Sequence, residues 1–391
     1  MAEPFNPFAP RTREEREAEL AVLRRTAPVS RTPAGPWFVA HTAGVVAGLK
    51  DVTSFVGTFG GAARADVPVD EEIIPAIPEP RHGRIRRIIN AVLAPGKVLA
   101  VEPFVRDLCA QLIDAVVAAG AVDLVPAYAD PIPTTVIAHV LGVPIADRPR
   151  FREWSDEVVA AVGPGTDRGP TMAQRHPAFA AYLDEQIARR RALADPPDDL
   201  LTRLLFTEVE GERLSAAAVR TQVMFLLVAG NETTRNLIGN LLYTLARDPE
   251  LYRAVRADRR LIGLAVEESL RYDSPVQVLA RTCTRDTAID GVPIAAGEVV
   301  IFGVGSANRD ERCWADPGCF RLDRAGAREH VAFGDGPHFC PGAALARLEA
   351  AVALEVFCDR VARFSLAPGY QFDPQPVFWA HGPRSLPVQV G

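Results

Sequence analysis

Apolar residues recur every three or four positions from about residue 98 to residue 272, which is the spacing of helices with one buried face. The longest such segment, SAAAVRTQVMFLLVAGNETTRNLIGNLLYTLARD, begins at Ser215, a residue suited to an N-cap, and ends at Asp248 before Pro249. It predicts a helix roughly twice the average length. A helix so long and so apolar must cross the centre of the molecule.

Strand patterns are short and lie elsewhere. Runs of β-branched residues broken by turn residues occur in PWFVA near residue 36, in TAIDGVPIAAGEVVIFG over 287–303 and in SLPVQV near the end. The chain is therefore predicted to be mostly α, with a minor antiparallel β subdomain. No Ser/Gly-rich linker divides it, so we expect a single domain over residues 1–391, with about 1–15 as a flexible N-terminal segment.

Composition narrows the function classes. The 391 residues are 48% hydrophobic and carry a net charge of −6, with no long Lys/Arg run, which argues against a nucleic-acid partner. The apolar run VMFLLVAG is far shorter than the ~20 residues of a bilayer helix, and the N-terminus lacks an apolar signal core. We expect a cytoplasmic protein without a membrane partner.

One cysteine lies in an unusual loop, FGDGPHFCPG, over residues 333–342. Three glycines and two prolines exclude a regular helix or strand here, and a helical pattern follows at once. Cys340 is therefore predicted at a helix N-terminus, where the positive end of the dipole stabilises a negative sulfur. A thiolate held in this way can ligate haem iron.

The spacing of Phe333, Gly336, His338, Cys340 and Gly342 resembles the haem-binding signature of the cytochrome P450 family, F-G-x-G-x-H-x-C-x-G, at every fixed position. The resemblance implies haem b (iron protoporphyrin IX) as cofactor, Cys340 as its axial iron ligand and His338 as a propionate partner. Phe333 and Gly342 belong to the same cofactor site. At Pro341 the sequence differs from many members of the family, because proline has no N–H to direct at the sulfur.

Two further segments resemble parts of the same family. In EPRHGRIRRIINAVLAP, a predicted helix, His82 and Arg86 lie on one edge of the apolar face. They resemble the family's H-x-x-x-R propionate clamp, to which Arg281 is expected to add a second cation. Glu268 and Arg271 are three residues apart on a helix and resemble the family's E-x-x-R motif. The resemblance implies that they form a buried structural network with Arg324.

The stretch AGNETT, residues 229–234, interrupts the apolar pattern of the long helix. The Thr233 hydroxyl can bond to the carbonyl four residues back, that of Ala229, and so loosen the helix. Taken alone, AGNETT also suits a packing glycine followed by an exposed polar turn. It resembles the oxygen-activation motif of the family, and the resemblance implies that Glu232 and Thr233 deliver protons during catalysis.

The predicted substrate pocket is lined mostly by aliphatic side chains, which suits a terpenoid, steroid, fatty-acyl or polyketide skeleton. The residues assigned to it by position are Ile77, Val228, Ala229, Val276, Val278, Leu279 and Phe378. An acidic stretch just before them, Asp70 to Glu72, has two interpretations: it binds a cationic substrate group, or it is a solvated loop.

The resemblance implies a haem-thiolate monooxygenase that inserts one oxygen atom of O2 into a C–H bond of a hydrophobic small molecule. Electrons are expected from a separate ferredoxin and its reductase, and the protein is expected to be a monomer. Two alternatives stay open. One is a peroxide-driven or redox-neutral haem-thiolate enzyme; the other is a non-catalytic haem or gas-binding protein.

Overall fold

The computed structural model describes residues 5–9, 11–57, 67–160, 171–208 and 211–391. Helices account for most of this part of the chain, as the apolar periodicity predicts. Their bounds are α1 Arg13–Thr26, α2 Thr42–Lys50, α3 Arg81–Val92, α4 Pro95–Ala119, α5 Pro131–Leu141, α6 Arg148–Ala160, α7 Met172–Arg175, α8 Pro177–Ala192, α9 Leu200–Phe206, α10 Ala216–Arg247, α11 Pro249–Ala257, α12 Leu261–Tyr272, α13 Val304–Ala307 and α14 Ala343–Arg360.

The strands form small sheets at the margin of the helical body. Their bounds are β1 Val29–Arg31, β2 Trp37–Val39, β3 Phe55–Gly57, β4 Ala121–Asp123, β5 Leu279–Cys283, β6 Thr287–Ile289, β7 Val292–Ile294, β8 Val299–Phe302, β9 Phe364–Leu366 and β10 Pro387–Val390. The largest sheet has the order β1-β2-β8-β5-β3. Its pairs are antiparallel except β2–β8, which is parallel and joins residues more than 250 apart in the sequence. The predicted fold class is confirmed, with this one parallel pair as an addition.

Helix α10 begins and ends where the sequence signals predict. The Ser215 hydroxyl accepts the Ala218 N–H at 3.1 Å as the N-cap, and Asp248 follows the last helical residue. The first half of α10 contributes Val223 and Leu227 to one apolar core, and the second half contributes Leu237 and Leu241 to the other. The helix therefore crosses the centre of the molecule, because its two halves pack into two different apolar cores.

The N-terminal residues pack against the body in the described part. The rings of Phe5 and Phe38 have centroids 4.8 Å apart, as do those of Phe8 and Phe378. Residues 1–4 and 10 lie outside the described residues. The flexibility assigned to residues 1–15 and the single-domain assignment stay predictions.

None of the described helices is by itself long and apolar enough to cross a membrane. The pair α3 and α4, which meet at a 48° bend, reaches that length and apolar content only when the two are taken together.

Candidate active site

The cysteine loop is bent by two glycines and closed by a backbone hydrogen bond. Gly334 and Gly336 have φ of 74° and 69°, a region that favours glycine. A Cβ on Gly336 would lie 2.9 Å from the Leu49 carbonyl oxygen, so α2 closes the space behind the loop. The Cys340 N–H donates to the Phe333 carbonyl at 2.9 Å. These contacts hold Cys340 at the start of α14, as predicted.

The sulfur of Cys340 receives both unfavourable and favourable electrostatic contributions. Burial raises the pKa of the thiol, while the N–H groups of Gly342 and Ala343 and the guanidinium of Arg86 lower that pKa. Pro341 supplies no N–H, yet the next two residues direct theirs at the sulfur because the helix begins there. A Cβ on Gly342 would lie 3.8 Å from Sγ, an ordinary contact, so the protein alone does not require glycine at this position.

Four nitrogen-bearing side chains predicted to bind the cofactor converge beside Cys340. The rings of His82 and His338 have centroids 4.1 Å apart. Arg86 donates through Nη2 to the Phe339 carbonyl, one residue before the cysteine. Burial, together with the nearby His82 ring and the Arg281 guanidinium, lowers the pKa of His338 to about 3. Three elements meet here, namely α3, β5 and the cysteine loop.

This cluster has too few negative charges to balance it. Burial lowers the pKa of Arg281 to about 10, and its guanidinium donates only to the carbonyl of Ala280 among the described residues. Arg86 likewise has no carboxylate partner in the described part of the chain. His82 bonds Glu79 through Nδ1 at 2.8 Å, but its buried Nε2 has no partner there. A buried ring nitrogen without a partner and two guanidinium groups without a carboxylate are costly, so the site fits an anionic group with several oxygen acceptors beside a cysteine. A haem with two propionates has this chemistry.

The helical motif on α10 has the local geometry predicted for it. The Thr233 hydroxyl donates to the Ala229 carbonyl at 2.9 Å, although α10 stays continuous through this turn. Glu232 is 1% exposed, and its Oε1 accepts from Arg235 at 2.6 Å and from Asn236 at 3.0 Å. Burial outweighs both donors and raises the pKa of Glu232. Glu232 therefore binds a proton more readily than an exposed glutamate.

Sequence reasoning missed the charges behind Glu232. Arg235 also lies 3.7 Å from the carboxylate of Asp130. Asp130 in turn lies 3.3 Å from Arg152 of α6, whose side chain is partly exposed. Burial raises the pKa of Asp130 despite both arginines. The three-residue spacing of Glu232 and Arg235 could have indicated an ion pair on one helix face. Asp130 is distant in sequence, so no pattern linked it to Arg235.

The structural network predicted around Glu268 is present. Glu268 and Arg271 are both 0% exposed and make two hydrogen bonds with each other, at 2.7 and 2.8 Å. Arg324 donates through Nε to the same carboxylate at 2.9 Å. The carbonyl of Cys319 accepts from both arginines, so the network fixes the segment that leads to the cysteine loop.

A second buried carboxylate supports the same segment and was not predicted. Glu267 accepts from Arg347 on α14 at 2.7 Å and contacts His330 at 3.1 Å. Burial would raise the pKa of Glu267, but these two partners outweigh it and lower that pKa to about 2. The Arg347 guanidinium also lies 4.5 Å from the ring centroid of Phe333. Glu267 was overlooked because the E-x-x-R spacing singles out Glu268, whereas both glutamates are buried.

The residues assigned to the substrate pocket do not all share one cluster. Ile77 and Val228 belong to the same apolar core. Val278 and Phe378 belong instead to the cluster around Phe5. The remaining three, Ala229, Val276 and Leu279, are half-buried. The pocket assignment of all seven stays a prediction.

The acidic stretch before Ile77 is engaged by arginines of the protein itself. Asp70 pairs with Arg81, and Glu71 lies 4.0 Å from Arg220 of α10. Glu72 is only 9% exposed. These contacts favour neither of the two sequence interpretations: the loop is not simply solvated, and two of its acids already have cationic partners.

Comparisons with known proteins show which family the chain resembles over its length. The family model described as Cytochrome P450 matches residues 169–376. The steroid C26-monooxygenase of Mycolicibacterium smegmatis is 36% identical over 331 residues, which cover 84% of this chain and 81% of that protein. The erythromycin C-12 hydroxylase of Saccharopolyspora erythraea is 36% identical over 354 residues, covering 89% and 87%. The solved structure of cytochrome P450 CYP109Q5 from Chondromyces apiculatus aligns with a TM-score of 0.88 and 35% identity, covering 100% of this chain and 99% of that chain.

Proposed function

The chain belongs to the cytochrome P450 family and is a monooxygenase, and from this premise we propose that it hydroxylates an apolar small molecule of steroid, terpenoid, fatty-acyl or polyketide type. One oxygen atom of O2 enters a C–H bond and the other leaves as water, which consumes two electrons and two protons. The observation that supports this most is a cluster of nitrogen-bearing side chains beside Cys340 with few carboxylate partners. Its members are His82, Arg86, Arg281 and His338.

Each of these residues has a proposed role toward haem b. Cys340 holds the iron, while His82, Arg86, Arg281 and His338 hold the propionates. When bound, haem supplies the redox chemistry by which O2 is activated and the substrate oxidised. The Phe333 carbonyl accepts the Cys340 N–H and so would hold the cysteine in place for this role.

Glu232 and Thr233 supply protons in the proposed reaction. Both hydrogen bonds to Glu232 from the described residues end on Oε1, so Oε2 is the atom proposed to hold the proton. Burial raises the pKa of Glu232, which favours the protonated form that can donate. Thr233 donates to Ala229, which orients the lone pairs of its hydroxyl away from the helix.

The substrate class rests on the apolar core that contains Ile73, Ile74, Ile77 and Val228. Relatives of this chain act on a steroid and a macrolide, which are both large and mostly apolar. Electrons are proposed to come from a separate ferredoxin-type donor that docks near Phe339, whose side chain is 42% exposed beside the cysteine. We also propose that the protein is a monomer and that it is located in the cytoplasm.

The test begins with the purified protein, reduced and treated with carbon monoxide. Thiolate ligation gives a strongly red-shifted absorption, and Cys340→Ser should abolish it. Testosterone, palmitoleic acid and erythromycin are then screened for the low-to-high spin shift of the ferric protein, which reports displacement of water by a ligand. A normal band in Cys340→Ser, or no shift with any apolar compound, would overturn the assignment.

Product analysis separates the alternatives. Hydroxylated product that requires a ferredoxin, its reductase and NAD(P)H supports the proposal. Product formed equally well without reductant indicates the peroxide-driven or redox-neutral enzyme. Spin shifts without product under any condition indicate a non-catalytic haem protein.

A further inference from the structure

One buried glutamine on α10 has no part in the proton chemistry or in cofactor binding. Gln222 is 0% exposed and lies six residues before Val228. Its neighbours on the same helix face, Val219 and Leu226, are buried in the apolar core. A primary amide in such surroundings must find its partners within the protein.

Both ends of the Gln222 amide bind the backbone of one loop. Nε2 donates to the carbonyl of Glu72 at 2.8 Å, and Oε1 accepts the N–H of Ile74 at 2.9 Å. The loop has no extended secondary structure, only the short 3₁₀ turns Val69–Glu71 and Ile74–Ala76, so these two groups lack a ladder partner. Gln222 supplies the hydrogen bonds that a sheet or helix would otherwise provide.

The same loop carries three buried aliphatic side chains, one of which, Ile77, is assigned to the proposed substrate pocket. Ile73, Ile74 and Ile77 are 8%, 4% and 2% exposed and share an apolar core with Val228. On the opposite side of the loop, the Pro75 carbonyl packs against Gly57, where a Cβ would lie 1.8 Å away. The loop is therefore held between β3 and α10.

Two ion pairs of this loop are weaker than the bonds to Gln222. Arg220 is 4.0 Å from Glu71, and both side chains are partly exposed, at 17% and 25%. Asp70 and Arg81 are about one third exposed. Surface ion pairs of this kind contribute little. The Gln222 amide is buried, and its loss would remove one hydrogen bond from each of two backbone groups of the loop.

We propose that Gln222 is a specificity-determining positioning residue, which fixes the isoleucine loop (residues 69–77) as one wall of the substrate site. This proposal deepens the proposed function and rests on it. With the amide in place, the loop is pre-organised, so a large ligand binds without first ordering it. Without the amide, the wall detaches, and only ligands large enough to touch it lose affinity.

The test is Gln222→Met in the holoprotein, a substitution that conserves volume and removes both hydrogen bonds. Amide hydrogen exchange should show faster exchange of the Ile74 N–H, a readout that needs no catalysis. The Kd of clotrimazole, a bulky azole, should rise about tenfold or more, as expected for two lost hydrogen bonds. The Kd of imidazole, too small to reach the loop, should stay within about twofold.

Two further variants keep the test decisive. Gln222→Glu retains an acceptor for the Ile74 N–H and should restore part of the exchange protection and of the clotrimazole affinity. Gln186→Met is the matched control, because Gln186 is also buried, at 4% exposed, but lies on α8 and forms no hydrogen bond to the loop among the described residues. It should change neither readout.

Unchanged Ile74 exchange in Gln222→Met overturns the proposal. So does lost protection with an unchanged clotrimazole Kd, or an equal effect on imidazole. Should Gln222→Met fail to fold, the proposal is tested with Gln222→Glu instead, by the exchange of the Ile74 N–H and the Kd of clotrimazole. Failure of the proposed function is seen separately, as a missing thiolate band or missing product, while hydrogen exchange still reports the loop.

Discussion

Substituting Glu268 by glutamine tests the buried ion network most directly. Glu268 accepts hydrogen bonds from Arg271, from Arg324 and from the backbone N–H of Arg321 at 2.9 Å. A glutamine has nearly the same shape, but it carries no charge and replaces one acceptor with an NH2 donor that faces guanidinium donors. Two arginine side chains, 0% and 5% exposed, would then lack their counter-charge.

The expected cost follows from that burial. Breaking a buried pair by removing one partner destabilises proteins by ~3–5 kcal/mol, because a charge is left buried without compensation. Total stabilities are only ~5–15 kcal/mol. Arg271 also donates to the carbonyls of Asn308 and Pro317 at 3.0 and 3.1 Å, so the loss extends to the segment before the cysteine loop. We therefore expect haem loss as well as a lower free energy of unfolding.

Urea unfolding and the haem-to-protein ratio measure the two effects. Glu250→Gln is the matched control, since Glu250 pairs with Arg253 at the same three-residue spacing but is 77% exposed. The control should change the free energy of unfolding by less than ~1 kcal/mol and leave haem content unaltered. If Glu268→Gln unfolds at the wild-type urea concentration and keeps its full haem content, the network has no structural role and the reasoning from burial is wrong.

Three other substitutions have defined outcomes. The pKa of Glu267 is lowered to about 2 from 4.5, because its two partners outweigh burial. The stabilisation that Glu267 contributes is therefore complete above about pH 5 and lost as pH falls toward 2. Glu267→Gln should remove about 3 kcal/mol of this pH-dependent change in the free energy of unfolding, measured by urea titrations at successive pH values. Glu232→Gln should lower product formation by ~10²-fold while NAD(P)H oxidation and peroxide release continue, and equal losses of all three would contradict a proton-delivery role. Gly336→Ala, at φ of 69° and against α2, should lower Tm and haem content, whereas Gly318→Ala, which has open space around it, should change neither.

Much of the fold was predictable because its signals are local. The limits of α10 followed from an N-cap serine, an apolar period and a proline stop, all contained in one stretch of sequence. The bond from Thr233 to Ala229 and the Glu268–Arg271 pair followed from helix geometry for the same reason.

What could not be predicted depends on contacts between distant segments. Gln222 and Ile74 are 148 residues apart, and neither belongs to a motif that names the other. Asp130 and Arg235 meet only because α5 and α10 pack together. The parallel pair β2–β8 likewise joins two strands that are far apart in the sequence, such as Trp37 and Val300. A pattern of apolar positions indicates which face is buried, but not which partner lies on it.

Two buried polar residues of α10, Gln222 and Asn240, have a common task that this distinction explains. Gln222 binds the isoleucine loop, and Asn240 donates to the carbonyls of Asp273 and His381 at 3.0 and 2.9 Å. In each case the partner is a backbone group in irregular chain, which has no ladder of its own. A central helix with satisfied main-chain bonds can offer only side chains to such groups, so its polar positions determine where the loops around it are held. Changes at these positions should therefore alter loop order and ligand preference before they alter the helix.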